Sequence, residues 1–212
     1  MTDSSNDGAC KLYYVHDPMC SWCWGFSPVL SALLQKLPDD IKVRRLLGGL
    51  AADSDQPMPL EMRTTIEATW RRIQQRIPGT PFNFDFWTQC TPRRSTWPAC
   101  RAVIAARQQG DAHDERMTRA IQLAYYTQAR NPSDTTTLIQ LSQELGLDSR
   151  AFAGALASES VQQQLLAEIE LSRQLHATSF PSLVLKTAGS VWPVAIDYND
   201  SAPMLEMIDG FR

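Results

Sequence analysis

Tyr14-Val15-His16-Asp17-Pro18-Met19-Cys20-Ser21-Trp22-Cys23-Trp24-Gly25-Phe26 is the stretch on which the fold turns. Lys11 to His16 is a β-branched and aromatic run that stops at Asp17-Pro18, the pattern of a strand entering a turn. Beyond the turn, Trp24, Phe26, Val29, Leu30, Leu33 and Leu34 recur near helical spacing until Leu37-Pro38, so a helix begins at Cys20. Pro28 lies inside it and is expected to kink or break it, because proline lacks an N–H and its ring clashes with the preceding turn. Ile41 to Leu47 reads as a second strand closed by Gly48-Gly49. The three elements form a β-α-β unit, the opening of a parallel or mixed sheet.

From about Pro59 to His176 the apolar period is helical. Candidate helices run over 61–76, 97–109, 114–128, 135–145, 150–157 and 161–175, with Asp134, Asp148 and Ser149 as caps and Gly146 as a stop. An aromatic-rich loop, Pro78 to Trp87, interrupts them. After Thr178 come a strand from Ser182 to Lys186, a turn at Ala188-Gly189, a strand from Val191 to Ala195 and a short helix from Pro203 to Ile208. The order is that of an α/β, thioredoxin-like fold with a large all-helical insertion between its βαβ and ββα halves. The expected division is 9–57 with 177–212 for the discontinuous thioredoxin-like domain and 58–176 for the insertion. Residues 1–8 are expected to be a disordered polar tail.

The chain has 212 residues, of which 43% are hydrophobic and 20% charged, so it is long enough and apolar enough to bury a substantial core. A net charge of -3 gives no electrostatic reason to expect a nucleic-acid partner. No apolar run reaches the roughly 18 residues of a membrane span. The opening residues lack the basic and apolar regions of a secretory signal, which points to the cytoplasm. There, five cysteines read as thiols, a redox centre or metal ligands rather than structural bridges.

Cys20 and Cys23 carry the chemistry. At a helix N-terminus, unpaired N–H groups and the positive end of the helix dipole favour the thiolate, which is the nucleophilic form of cysteine. Cys23, three residues on, lies on the same face one turn later, within reach of the first sulfur. Cys20 is thus placed to attack a disulfide and Cys23 to resolve the mixed disulfide. A second signal is Ser179-Phe180-Pro181-Ser182 at a strand entry. A cis bond there would expose the Phe180 backbone to an extended substrate beside the cysteines.

At these residues the chain resembles the DsbA family of thioredoxin-like oxidoreductases and, within it, the FrnE-like group. The likeness runs through residues 14–26, Leu47-Gly48-Gly49-Leu50, Pro81-Phe82-Asn83, residues 95–106 and residues 180–185. It implies a thiol-disulfide oxidoreductase with an inserted helical domain covering the site, a cis Pro181 and Cys20 as the attacking thiol. Trp22, Phe180, Pro181, Phe82 and Asn83 become the expected substrate-binding residues. No obligate cofactor and no metal are expected. Glutathione is a plausible co-reductant, and the partners are thiol- or disulfide-containing proteins or small molecules.

Pro81-Phe82-Asn83 and Ser95-Thr96-Trp97-Pro98-Ala99 are also similar to segments of 2-hydroxychromene-2-carboxylate isomerases and kappa-class glutathione transferases. That makes a glutathione-dependent isomerase or transferase the alternative, although such proteins typically carry Ser at the position of Cys20 and lack the second cysteine. A zinc site completed by Cys90, Cys100 or His113 is the non-enzymatic alternative. Cys90 and Cys100 otherwise read as buried small hydrophobes, or as a second redox pair. Phe82, Phe84, Phe86 and Trp87 either line a groove or fill a core. His16 reads either as a plain strand-end residue or as a group that shuttles a proton or stabilises the thiolate, and Asp17 reads as a turn residue.

Overall fold

The computed structural model describes residues 10–212, so the expectation for residues 1–8 lies outside the described residues. Strand β1 (Lys11–His16) leads into helix α1 (Ser21–Lys36), and β2 (Lys42–Leu47) returns parallel to β1. Helices follow without a strand between them: α2 (Leu60–Arg76), α3 (Phe86–Gln89), α4 (Trp97–Arg107), α5 (His113–Thr127), α6 (Thr135–Glu144), α7 (Ser149–Leu156) and α8 (Glu159–Gln174). Strands β3 (Ser182–Thr187) and β4 (Ser190–Val194) and helix α9 (Ala202–Gly210) close the chain. The sheet order is β2-β1-β3-β4, with β3 antiparallel to both its neighbours. This is the thioredoxin-like α/β arrangement that the sequence led us to expect.

Three local expectations need correction. Helix α1 continues through Pro28, so the break allowed for there does not occur. The Trp24 carbonyl, which the missing Pro28 N–H leaves free, accepts instead from Ser27 Oγ at 2.8 Å. Asp134 is the N-cap residue of α6 as expected, but its carboxylate pairs with Arg93 at 2.5 Å and makes no capping bond. The aromatic loop ends in the short helix α3, which extends past it to Gln89 and is too brief for periodicity to reveal. Asp148 does cap α7 through the N–H groups of Arg150 and Ala151, and Gly146 stops α6 with a φ of 74°, a conformation that costs glycine little.

The largest apolar cluster belongs to the helical block, yet it includes Met19, Trp24 and Leu47 from the β1–α1–β2 unit. Glu168 of α8 reinforces this junction. One of its oxygens accepts the Leu47 N–H at 2.8 Å and the other accepts from Arg107, which also pairs with Asp114. Asp114 in turn holds Arg45 of β2 at 2.8 Å. The edge of the parallel strand pair is therefore held by side chains of the helices.

Candidate active site

Cys20 is the N-cap of α1, in extended backbone with φ -78° and ψ 115°. No acidic residue occupies the first turn and no side chain caps it, so its N–H groups are left to favour an anion at the Cys20 sulfur. Cys20 Sγ donates to the Phe180 carbonyl at 3.3 Å across 160 residues of chain, which places the third-strand entry against the motif as the sequence suggested. The Phe180–Pro181 peptide is cis. Phe180 approaches so closely because of Gly48: a Cβ there would lie 2.0 Å from the ring.

The two cysteines differ in access. Cys20 opens into a cleft of about 200 Å³ that Trp22, Leu50, Met58, Arg94 and Phe180 also line, whereas Cys23 has no exposed surface. Burial pushes the Cys23 thiol well above its ordinary range, and a hydrogen bond to the Cys20 sulfur, together with that sulfur's charge, pushes it further. Tyr14 borders Cys23 from β1, and its hydroxyl too is pushed up by burial, then by the Cys23 charge. Trp22 packs on Tyr198 at 5.1 Å between ring centres.

Asp17, read from the sequence as a turn residue, organises the region behind the motif. It is fully buried and accepts from Met19 N at 2.8 Å, Leu50 N at 2.8 Å, Thr96 Oγ1 at 2.6 Å and Cys100 Sγ at 3.4 Å. Burial raises its carboxyl, against the lowering effect of these hydrogen bonds. Trp70, fully buried on α2, donates its indole N–H to Ser21 Oγ at 2.9 Å, so a residue of the Cys20–Cys23 motif is anchored by the helical block. Sequence reasoning missed both. The available signal for Asp17 was its Thr96 partner, inside one of the segments that carried the resemblance.

Phe82 and Asn83, expected beside the substrate, stand apart from the cleft. Phe82 stacks on Trp70 at 4.8 Å inside the helical core. The Asn83 backbone N–H reaches Tyr126 O at 2.7 Å, and its amide reaches Thr127 O. Their segment acts on the site indirectly, since Trp24 Nε1 donates to the Pro81 carbonyl at 3.0 Å. Phe86 and Trp87 are core residues as well. Pro181 lines a separate hollow beside Leu175 and Val194, and it meets the cleft only through its neighbour Phe180.

His16 is wholly buried and stacks on Tyr14 at 4.8 Å, with neither ring nitrogen hydrogen-bonded. Burial, and then the charges of Arg45 and Arg107, hold its pKa well below the ordinary histidine value, so it is neutral. All five cysteines are free thiols. Cys100 is buried as expected, but Cys90 is only half-buried, and its sulfur donates to the Ala129 carbonyl. Cys90 and Cys100 thus engage different partners, and His113 meets Arg116. Among the described residues, no three of His, Cys, Asp and Glu gather as a metal site.

A family model described as thioredoxin matches residues 13–191. Among solved structures, a Nitrosomonas europaea protein described as a candidate protein disulfide isomerase superposes with a TM-score of 0.82 and 26% identity, covering 96% of this chain and 97% of that one. The cytosolic disulfide reductase DsbM of Pseudomonas aeruginosa superposes with a TM-score of 0.72 and 27% identity over 95% of this chain and 94% of that chain. DsbM has also been solved with glutathione. Among curated proteins, the ClpXP adapter protein SpxH of Halalkalibacterium halodurans is 24% identical over 178 residues, which cover 82% of this chain. The match spans only 58% of that adapter's length.

Proposed function

The chain belongs to the thioredoxin family, and from that premise we propose that it is a thiol-disulfide oxidoreductase in which Cys20 attacks and Cys23 resolves. The observation that carries this reading is the asymmetry of the pair. One sulfur sits uncapped at a helix N-terminus in a cleft, while the other is sealed one turn below it with its thiol held protonated. The Cys20 thiolate attacks one sulfur of a substrate disulfide, and the other leaves as a thiolate. Cys23 then attacks Cys20 Sγ, which closes the Cys20–Cys23 disulfide and releases the reduced substrate.

Two glutathione thiols restore the dithiol and leave as glutathione disulfide. The solved glutathione complex of DsbM supports glutathione as that co-reductant. Trp22 and Phe180 flank the incoming disulfide, and the backbone at Phe180–Pro181 lies alongside it. No helix of the described residues is long and apolar enough to cross a membrane. Reductive turnover of this kind suits the cytoplasm, where glutathione keeps thiols reduced.

The test equilibrates the protein across glutathione redox buffers, traps free thiols and maps the disulfides by mass spectrometry. The expected result is a reversible two-electron transition confined to Cys20 and Cys23, with Cys23→Ser accumulating a mixed disulfide on Cys20 and losing turnover. A pair that never closes, with Cys23→Ser fully active, would instead favour a glutathione-dependent isomerase or transferase, which needs one thiol at most.

A further inference from the structure

A hollow larger than the cleft over Cys20 lies elsewhere among the described residues. It is a groove of about 830 Å³ between α5 and the later turns of α1, bordered by Tyr14, with Pro28, Leu30, Ala120 and Leu123 among its apolar walls. That volume falls within the roughly 300–1,000 Å³ of small-molecule sites. Its polar groups come mainly from one helix. Thr118 is buried, and its hydroxyl has no hydrogen-bond partner and almost no accessible surface, an arrangement that is costly unless the side chain turns to meet a group in the groove.

Arg116 and Arg119 line the same groove three residues apart, on one face of α5. Among the described residues neither guanidinium pairs with a carboxylate. Arg119 lies over the Trp24 ring at 4.5 Å, and Arg116 meets His113 Nδ1 and the Leu145 carbonyl. Arg45, the third arginine of the lining, is already neutralised by Asp114. Glu115 supplies one negative charge. Two guanidiniums without a carboxylate partner, against the one carboxylate of Glu115, leave a single positive charge above an apolar floor.

We propose that this groove binds a small amphipathic carboxylate. Its head is held by Arg116, Arg119 and the Thr118 hydroxyl, and its apolar body lies along Pro28, Leu30 and Leu123. A guanidinium fork matches a carboxylate in geometry as well as charge, and the single net charge suits a monoanion better than a phosphate ester. The proposal is independent of the redox reading, since none of these side chains lines the cleft over Cys20.

The probe is decanoate, titrated calorimetrically into the whole protein. We expect saturable one-to-one binding, weakened about tenfold by Arg119→Ala and by Arg116→Ala, and a few-fold by the near-isosteric Thr118→Val. Decyltrimethylammonium, with the same chain and the opposite charge, should bind at least about tenfold more weakly. Arg94→Ala, at the cleft over Cys20, should leave decanoate affinity unchanged. Arg116 is an exposed side chain, so its variant keeps the test open should Arg119→Ala disturb folding. The proposal is overturned by absence of saturable binding, by wild-type affinity in the Arg116, Arg119 and Thr118 variants, or by loss of binding in Arg94→Ala.

Discussion

Gly48→Ala tests how the site is held together. Gly48 has no positive φ, so alanine is acceptable to the backbone there and only space is at issue. The new Cβ would lie 2.0 Å and 2.1 Å from two ring carbons of Phe180 and 2.8 Å from a third. Ordinary contact begins near 3.4 Å, so the ring must withdraw by about 1.4 Å. Overpacking of this kind costs about 1–3 kcal/mol. Phe180 also carries the carbonyl that receives the Cys20 thiol, and displacing a positioning group by about 1 Å can cost on the order of a hundredfold in rate. The expected result is therefore a loss of about 1–3 kcal/mol in urea unfolding, together with a ten- to hundredfold slower thiol-disulfide exchange. In a Phe180→Ala background the alanine at position 48 meets no ring and should cost under about 0.5 kcal/mol. Near-wild-type stability of Gly48→Ala, or an equal cost in both backgrounds, would refute the reasoning.

Three further outcomes follow from the buried polar groups. His16 is neutral in the folded protein because burial lowers its pKa from the ordinary 6.5, whereas in the unfolded chain it gains a proton below that pH. Stability is thus fully present above pH 6.5 and falls as the pH drops below it, with a slope of up to about 1.4 kcal/mol per pH unit from this group. Urea titrations of wild type and His16→Phe between pH 7.5 and about 5 should differ by that slope. Glu168→Ala strips the Leu47 N–H of its acceptor and Arg107 of one anion, and should cost about 2–4 kcal/mol in the same assay. Ser21→Ala leaves the buried indole N–H of Trp70 without its acceptor, for a cost of about 1–3 kcal/mol.

What the sequence made legible was local. The strand ending at Asp17-Pro18, the helix opening at Cys20 and the strands after Thr178 are each written in consecutive residues, and each forms where expected, with ends displaced by a residue or two. Helix boundaries shifted for the same reason that α3 was missed, because periodicity needs several turns to be heard. The cysteine pair and Phe180 were legible because their residue types announce chemistry. Asp17 was not, since an aspartate before proline has a sufficient local explanation as a turn. Its partners Leu50, Thr96 and Cys100 are 33, 79 and 83 positions away. The aromatic loop misled in the opposite direction. Phe82 belongs to a cluster centred on Trp70, and only packing distinguishes such a cluster from a binding groove.

Three long-range contacts share one property: each places a polar group of the βαβ unit on a partner supplied by the helical block. Ser21 Oγ receives the Trp70 indole, the Asp17 carboxylate receives the Thr96 hydroxyl, and the Leu47 N–H finds Glu168. Stripped of the helices, the βαβ unit would lose the Thr96 and Cys100 donors to Asp17 and the Glu168 acceptor of the Leu47 N–H, while Asp17 would keep the N–H groups of Met19 and Leu50. The cleft over Cys20 is composite for the same reason, with Met58, Ile66 and Arg94 on one side and Trp22 and Phe180 on the other. The cleft over Cys20 is therefore a property of the seam between the two parts, and substitutions there should alter exchange chemistry even at positions that never meet the substrate.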